Sequence, residues 1–121
     1  MKKINLDTLQ KDFKTVYSDN GSISIVFQSN YILMGVVGEF NINLKTLEKL
    51  SGCNIYFRGN SIVIKGRSKS NENVKRAIEF LTQHFKMNGI IEKEDVISSL
   101  NKFMTKEQNN NNLNNLDYII K

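Results

Sequence analysis

The sequence GVVGEFN at residues 35–41, which runs into INLKTLEKLS at 42–51, decides the fold of this chain. In the second stretch three leucines recur at helical spacing, and Gly52 follows where a helix would end. The first stretch carries two glycines, and this predicts a loop between two helices. Because glycine has no Cβ, the backbone of that loop can approach a ligand closely at Gly38.

Short apolar alternations on both sides of this helix pair predict strands. One strand comes before the helices. Two more follow them and are joined at Gly59-Asn60, a pair that tolerates the positive φ of a two-residue hairpin loop. The alternating positions are Ile23, Ile25 and Phe27 in the first strand, Cys53, Ile55 and Phe57 in the second, and Ile62 and Ile64 in the third.

Two further helices are expected after the strands. The longer one ends at Gly89, and its apolar stripe is Val74, Ala77, Ile78, Leu81 and Phe85. The last helix uses Val96, Leu100, Phe103 and Met104. The order strand, helix, helix, strand, strand, helix (β-α-α-β-β-α), plus an extra C-terminal helix, predicts an α+β fold. We expect a three-stranded sheet with its helices packed on one face.

We expect one domain with an extension at each end. Residues 1–20 are an N-terminal extension that can form a short helix, because its leucines and Phe13 fall at helical spacing. Residues 21–105 form the α+β domain. Residues 106–121 are rich in asparagine and cannot bury enough apolar surface to become ordered, so a disordered linker is expected there.

The charge of the chain favours polyanionic partners. Its net charge is +5, from 17 basic and 12 acidic residues, and six basic residues lie between positions 58 and 76 against Glu72 alone. Such a stretch supplies sequence-independent attraction to phosphates, although an ordinary solvated face is an equal alternative.

The single Cys53 cannot form an internal disulfide, and no stretch reaches the roughly 20 apolar residues of a membrane helix. We therefore expect a cytoplasmic protein without membrane contact.

Residue types that carry catalysis are isolated in this sequence. It has no Gly-x-x-x-x-Gly-Lys-Ser/Thr loop, so no cofactor is expected in this chain. His84 has no partner at ligand spacing that would orient it as a base, and Cys53 opens a strand on the predicted core face. The acids at 92–95 begin a helix, where negative charge is favourable. No active site is predicted.

A binding site is expected at the glycine loop instead. The following helix points its positive end at the loop, which suits a phosphate, and Asn41 tolerates left-handed backbone angles. Glu39 repels a phosphate, and a plain helix-to-helix turn capped by Asn41 stays open as the alternative. Lys45 and Asn43 are expected on the helix that borders the groove, with Arg58 on the opposite wall. The predicted nucleic-acid-binding residues are Gly35, Gly38, Glu39, Phe40, Asn41, Asn43, Lys45, Arg58, Lys65 and Arg67.

This order of motifs resembles a KH module, which grips the backbone of single-stranded nucleic acid at a glycine loop. More closely, residues 22–96 are similar to the N-terminal KH-like domain of the PhoH-like ATPase family. The resemblance rests on LMGVVGEFNINL at 33–44, Leu47-Glu48, SGCNI at 51–55, and Arg58-Gly59-Asn60 before IVIKG at 62–66.

The resemblance implies an RNA-binding module of a longer protein that continues past Lys121 into a P-loop ATPase domain. That missing domain would bind ATP and magnesium and would be the place where the protein forms oligomers. The family also implies a cytoplasmic role in RNA metabolism, with single-stranded RNA as ligand and an rRNA-maturation endoribonuclease as partner. The alternative is a KH-shaped protein-interaction or oligomerisation module without RNA binding. On either reading this chain is not itself an enzyme.

Overall fold

The computed structural model describes the backbone of residues 12–112 and the side chains of residues 12–104. Within this range four strands and four α-helices follow one another. They are β1 (Phe13–Tyr17), β2 (Ile23–Phe27), α1 (Asn30–Val37), α2 (Ile42–Ser51), β3 (Asn54–Arg58), β4 (Ser61–Lys65), α3 (Ser68–Asn88) and α4 (Lys93–Asn112), with a 3-10 turn at Glu39–Asn41 between α1 and α2. None of the described helices combines the length and the apolar character that a membrane crossing needs.

The strands form one antiparallel sheet in the order β1-β2-β4-β3. The predicted α+β class is therefore confirmed. The predicted three-stranded sheet is wrong, because β1 adds a fourth strand at the edge of β2. From β2 onward the elements come in the order strand, helix, helix, strand, strand, helix, helix.

β1 lies in the N-terminal extension, for which the sequence predicts a short helix. Most of that helix falls on residues 1–11, outside the described residues, but Phe13 is in a strand. Its ring packs against Phe27 with 6.1 Å between centroids. Tyr17, at the other end of the strand, donates a hydrogen bond of 2.9 Å to Glu72 on α3. Docking against the core thus overrides the local helical spacing at Phe13.

The core lies between one face of the sheet and the helices. In β2 and β4 every second residue is buried, because successive side chains of a strand point to opposite faces. α1, α2 and α3 contact this face of the sheet, and α4 packs against α2 and α3. Every buried apolar residue of the described strands lies on the face that meets the helices. These residues are Ile23, Ile25, Phe27, Ile55, Ile62 and Ile64.

The helix ends follow the glycine signals closely. α2 has the predicted bounds and ends at Gly52, with φ of 81°, and α3 ends at Gly89, with φ of 78°. Both angles are left-handed, and glycine adopts them at little cost. α1 begins after Ser29, which is its N-cap and accepts a hydrogen bond from the Ile32 amide.

The C-terminal helix is longer than the sequence indicates. α4 continues to Asn112, whereas the sequence predicts a disordered linker from residue 106. The remainder of that linker, residues 113–121, lies outside the described residues. The division of the chain at 20 and 105 stays a prediction.

Gly35 sets the distance between α1 and α3. A Cβ built on this residue would lie 2.3 Å from the ring of Phe85, far inside van der Waals contact. The ring also packs against Tyr31, with 5.3 Å between centroids, so it is held from two sides. Gly35 therefore serves the packing of the two helices, and its contact with nucleic acid stays a prediction.

Asn71, 1% exposed, ties three parts of the chain together. Its Nδ2 donates to the carbonyl of Gly21 in the β1–β2 turn (3.0 Å) and to that of Gly66 after β4 (3.1 Å). Its Oδ1 accepts from the Cys53 thiol at 3.4 Å. One buried amide at the start of α3 thus fixes the turn that adds β1 to the sheet.

The Gly35 packing predicts that Gly35→Ala lowers stability even though alanine favours helices. Overpacking of this kind costs about 1–3 kcal/mol, which lowers the thermal midpoint by several degrees. In a double-mutant cycle Phe85→Leu should recover part of that loss, because the shorter side chain leaves room for the methyl group. Strictly additive effects of the two substitutions would contradict the assigned contact.

The Asn71 network predicts that Asn71→Ala costs about 1–3 kcal/mol, since two part-buried carbonyls lose a donor that belongs to a buried amide. Denaturant unfolding measures this loss. Asn88→Ala is the matched control, because Asn88 is exposed and water replaces its hydrogen bonds to His84. Equal stability of the Asn71 variant and the wild type would show that the amide does not hold the turn.

Candidate nucleic-acid interface

The chain reverses direction between α1 and α2 through three residues with positive φ angles. Gly38 has φ of 84° and donates its amide to the carbonyl of Met34. Phe40 and Asn41 follow, with φ of 55° and 60°, and the Asn41 amide donates to the Gly38 carbonyl. Asparagine tolerates left-handed angles, but an aromatic residue rarely adopts them. Strain of this kind is found mainly where it serves a function.

Asn43 braces this reversal from inside. Its side chain is 6% exposed, and its Nδ2 donates a hydrogen bond of 3.0 Å to the Val36 carbonyl near the end of α1. A Cβ on Gly38 would lie 2.7 Å from the same Nδ2. The sequence predicts Asn43 on the binding surface, but the structure places its side chain in the interior. Gly38 and Asn43 therefore shape the loop as a pair.

The tip of the loop is apolar and exposed. Phe40 exposes 88% of its surface, and Ile42, the first residue of α2, exposes 52%. Glu39 and Asn41 are exposed beside them. Asn41 is the N-cap residue of α2 but makes no capping hydrogen bond with its side chain. The Ile42 amide donates to the Glu39 carbonyl, so the amides that follow it in the first turn of α2 are the ones left without this cap.

The two sides of α2 differ in charge. Lys45 and Lys49 are exposed on its outer side. On the side facing the sheet edge, Glu48 accepts a hydrogen bond of 2.8 Å from the amide of Ile55 in β3. This contact joins residues seven positions apart, and no spacing or composition signal in the sequence indicates it. Glu48 therefore occupies a backbone donor of the edge strand and places an acid next to the predicted groove.

A groove of about 460 Å³ runs between α2 and the start of α4. Its walls combine apolar side chains with lysines, and the lining includes no acid. The lining residues are Ile42, Lys45, Thr46, Lys49, Leu50, Lys93 and Ile97. This surface joins the exposed tip of the loop through Ile42.

Arg58 and Lys65 lie on the other side of the sheet. Arg58 is paired with Ser61 and lies two residues after Tyr56, so both side chains point to the same face of the sheet. The residues that flank Tyr56 in β3 point into the core. Lys65 has the same orientation as Tyr56, since its Nζ lies 5.8 Å from the centroid of the Tyr56 ring. We call this surface the open sheet face. It comprises Lys14, Val16, Ser24, Val26, Asn54, Tyr56, Arg58, Ser61, Val63 and Lys65.

The ten predicted site residues therefore do not form one surface. The structure brings Gly38, Glu39, Phe40, Asn41 and Lys45 together at the loop. Arg58 and Lys65 are on the open sheet face. Arg67 lies beside a shallow depression of about 230 Å³ near Gly52 and Cys53. Arg58 is thus not the opposite wall of a groove that begins at Lys45.

Neither catalytic candidate acquires a reactive arrangement among the described residues. Cys53 is buried, and burial raises the pKa of its thiol, which disfavours the nucleophilic thiolate. His84 gains a partner that is distant in sequence, because its Nε2 lies 3.2 Å from the Asp95 carboxylate at the start of α4. That contact links two packed helices. No three described His, Cys, Asp or Glu side chains gather as a metal site would require.

Comparison of the chain with protein-family models, curated proteins and solved structures gave no match. The resemblance to the PhoH-like family stays a prediction from the sequence.

The bracing role of Asn43 predicts that Asn43→Ala loosens the loop. The Val36 carbonyl loses a buried donor, which costs about 1–3 kcal/mol, and chymotrypsin should cleave after Phe40 faster than in the wild type. Thr46→Ala is the control, because Thr46 donates to the Ile42 carbonyl where water can replace it. Unchanged cleavage at Phe40 in the Asn43 variant would rule out the brace.

Proposed function

We propose that this chain is a KH-type module that binds single-stranded nucleic acid, RNA in the first place, at the Gly38–Asn41 loop. The succession of elements from β2 to α3 supports this architecture, as does the glycine loop between its two helices. β1 and α4 are additional elements outside the order of a KH module. The proposal concerns the loop, the start of α2 and Lys45.

The observation that carries the proposal is the uncapped N-terminus of α2 behind a strained loop. Helix N-termini attract phosphates, because their free amides point outward and the helix dipole adds partial positive charge. Asn41 leaves these amides without a side-chain partner, and Gly38 leaves room for the Asn43 side chain that holds the loop in place. A phosphate of the nucleic-acid backbone is the ligand that this arrangement fits.

Phe40 supplies the second contact. An aromatic ring exposed over 88% of its surface offers a face on which a base can stack, and such stacking contributes about 1–3 kcal/mol per base. Holding an aromatic residue at a left-handed angle costs about 1–2 kcal/mol. A gain in binding of similar size explains why an exposed phenylalanine stands at the tip of the loop.

Two acids work against tight binding. Glu39 lies in the loop itself, and Glu48 lies between α2 and the edge strand. Each repels phosphate, whereas Lys45 attracts it. Weak, salt-sensitive binding is the result that this balance favours.

We also propose, on the sequence resemblance alone, that the module serves a longer cytoplasmic PhoH-like protein. Its ATPase domain would bind ATP and magnesium, carry the catalysis and assemble the oligomer. Ribosomal RNA maturation, together with an endoribonuclease, is the process in which such a protein would act. The chain described here contributes nucleic-acid binding and no catalysis.

A second candidate function is protein interaction through the groove between α2 and α4. Its apolar residues, among them Ile42 and Leu50, and its three lysines suit an acidic amphipathic helix. This candidate replaces the first one if the loop binds no nucleic acid.

The loop proposal is tested by charge reversal at Glu39. Glu39→Lys removes a repulsion and adds an attraction, so its affinity for a fluorescein-labelled oligouridylate should rise, and the slope of log K against log salt should steepen by about 0.7. Phe40→Ala should weaken binding about tenfold by removing the stacking surface. Anisotropy titrations at several salt concentrations measure both effects.

Glu94→Lys is the matched control, since it changes the net charge equally at an exposed position on α4. If Glu94→Lys raises the affinity as much as Glu39→Lys, the effect comes from overall charge and the loop is not the site. If the wild type binds no oligonucleotide at low salt and Glu39→Lys creates no binding, the loop proposal is wrong. Protein interaction through the groove between α2 and α4 then replaces it.

A further inference from the structure

The open sheet face is a second large surface that the proposed loop site does not use. In the part of the chain that the structure describes, the helices that contact the sheet do so on its opposite face. Val26 and Val63 are partly exposed in the two central strands of the open sheet face, and the exposed Val16 and the partly exposed Tyr56 lie on its two edge strands. Within the described residues, this face of the four strands is thus left free for a partner.

Its charges all have one sign. Lys14, Arg58 and Lys65 project from the described strands on this face, and no carboxylate does. Asp12, which precedes β1, is engaged by the Lys86 ammonium on α3. Asp19 lies in the β1–β2 turn, at the rim. An anionic partner would therefore meet attraction across the whole face.

The strand register places these cations around a centre of two valines and two serines. One row across the sheet reads Lys14, Val26, Ser61, Arg58, and the next reads Val16, Ser24, Val63, Tyr56. With about 4.8 Å between neighbouring strands, the two ends of the first row are about 14 Å apart. Lys65 stands beyond the second row, opposite Asn54. This spread suits a polyanion with repeated charges better than a single phosphate.

Tyr56 gives the surface a stacking element. Its ring is partly exposed, and the Lys65 ammonium rests against it at 5.8 Å from the centroid. A base that stacks on an aromatic ring interacts more strongly than an exposed ammonium does, so it can displace Lys65. The freed lysine then reaches a phosphate of the same strand.

Other partners fit this surface less well. A second copy of the chain, paired face to face, would bring three cations against the same three cations without a carboxylate between them. An acidic peptide would satisfy the charges. It would make no use of the tyrosine ring, and the groove suited to side chains of a peptide lies on the other side, between α2 and α4.

We propose that the open sheet face binds single-stranded nucleic acid, with a base on Tyr56 and phosphates at Lys14, Arg58 and Lys65. This site is separate from the Gly38–Asn41 loop and does not depend on it.

The test uses the full chain and the same labelled oligouridylate. The triple variant Lys14→Gln, Arg58→Gln, Lys65→Gln should lower the salt slope of log K by about 2, at about 0.7 per lost contact. Tyr56→Leu should weaken binding about tenfold, whereas Tyr56→Phe, which keeps the ring, should bind like the wild type. The thermal midpoint of each variant verifies that it is folded.

The charge control is the triple variant Lys69→Gln, Arg76→Gln, Lys102→Gln, which loses three exposed cations from α3 and α4. It should retain most of the affinity. Equal weakening by both triple variants would overturn the proposal, because overall charge would then explain the effect. A Tyr56→Leu variant that binds like the wild type would overturn it as well, since the face would then dock polyanions without stacking.

Phe40→Ala separates the two sites. Loss of binding in Phe40→Ala together with normal binding in the sheet variants would overturn the open sheet face and leave the loop function standing. Normal binding by Phe40→Ala, together with loss of binding by the sheet variants, would overturn the loop function and leave the open sheet face as the binding site. Absence of any binding by the wild type at low salt would overturn both.

Discussion

The burial of a single face of the sheet is the constraint on which the other features of this chain depend. Because β2 and β4 alternate buried and partly exposed residues, α1, α2 and α3 have one surface on which to pack. The close approach of α1 and α3 at Gly35, and the attachment of the β1–β2 turn by Asn71, complete that layer. The same alternation directs the cations of the second face away from the core, and none of the described helices covers that face.

The loop between α1 and α2 shows how a stable layer supports a strained segment. A left-handed phenylalanine costs about 1–2 kcal/mol, a noticeable share of the 5–15 kcal/mol by which domains are stable. The backbone at Phe40 holds this conformation because Asn43 fixes the end of α1 from inside and Gly38 leaves space for that amide. The exposed ring and the uncapped start of α2 are consequences of this arrangement.

The two candidate surfaces differ in their electrostatics. At the loop, Lys45 is opposed by Glu39 and by Glu48, which binds the Ile55 amide. On the open sheet face, Lys65 lies against an aromatic ring, and the described strands contribute no acid. A net charge of +5 therefore says little about the location of a polyanion until the strand register assigns each cation to a face.

The sequence by itself determined the elements whose signals are local. The leucine spacing and Gly52 define α2, the apolar alternation defines β2 to β4, and Gly89 ends α3, because helix periodicity, strand periodicity and left-handed glycine caps act over a few residues. Only the tertiary structure decided the rest. The helical spacing of Phe13 yields to its contact with Phe27 in a hairpin, Asn43 turns inward to reach Val36, and Arg58 falls on the face opposite to Lys45. Each of these depends on a partner distant in sequence or on strand register, in which a shift of one residue exchanges the two faces.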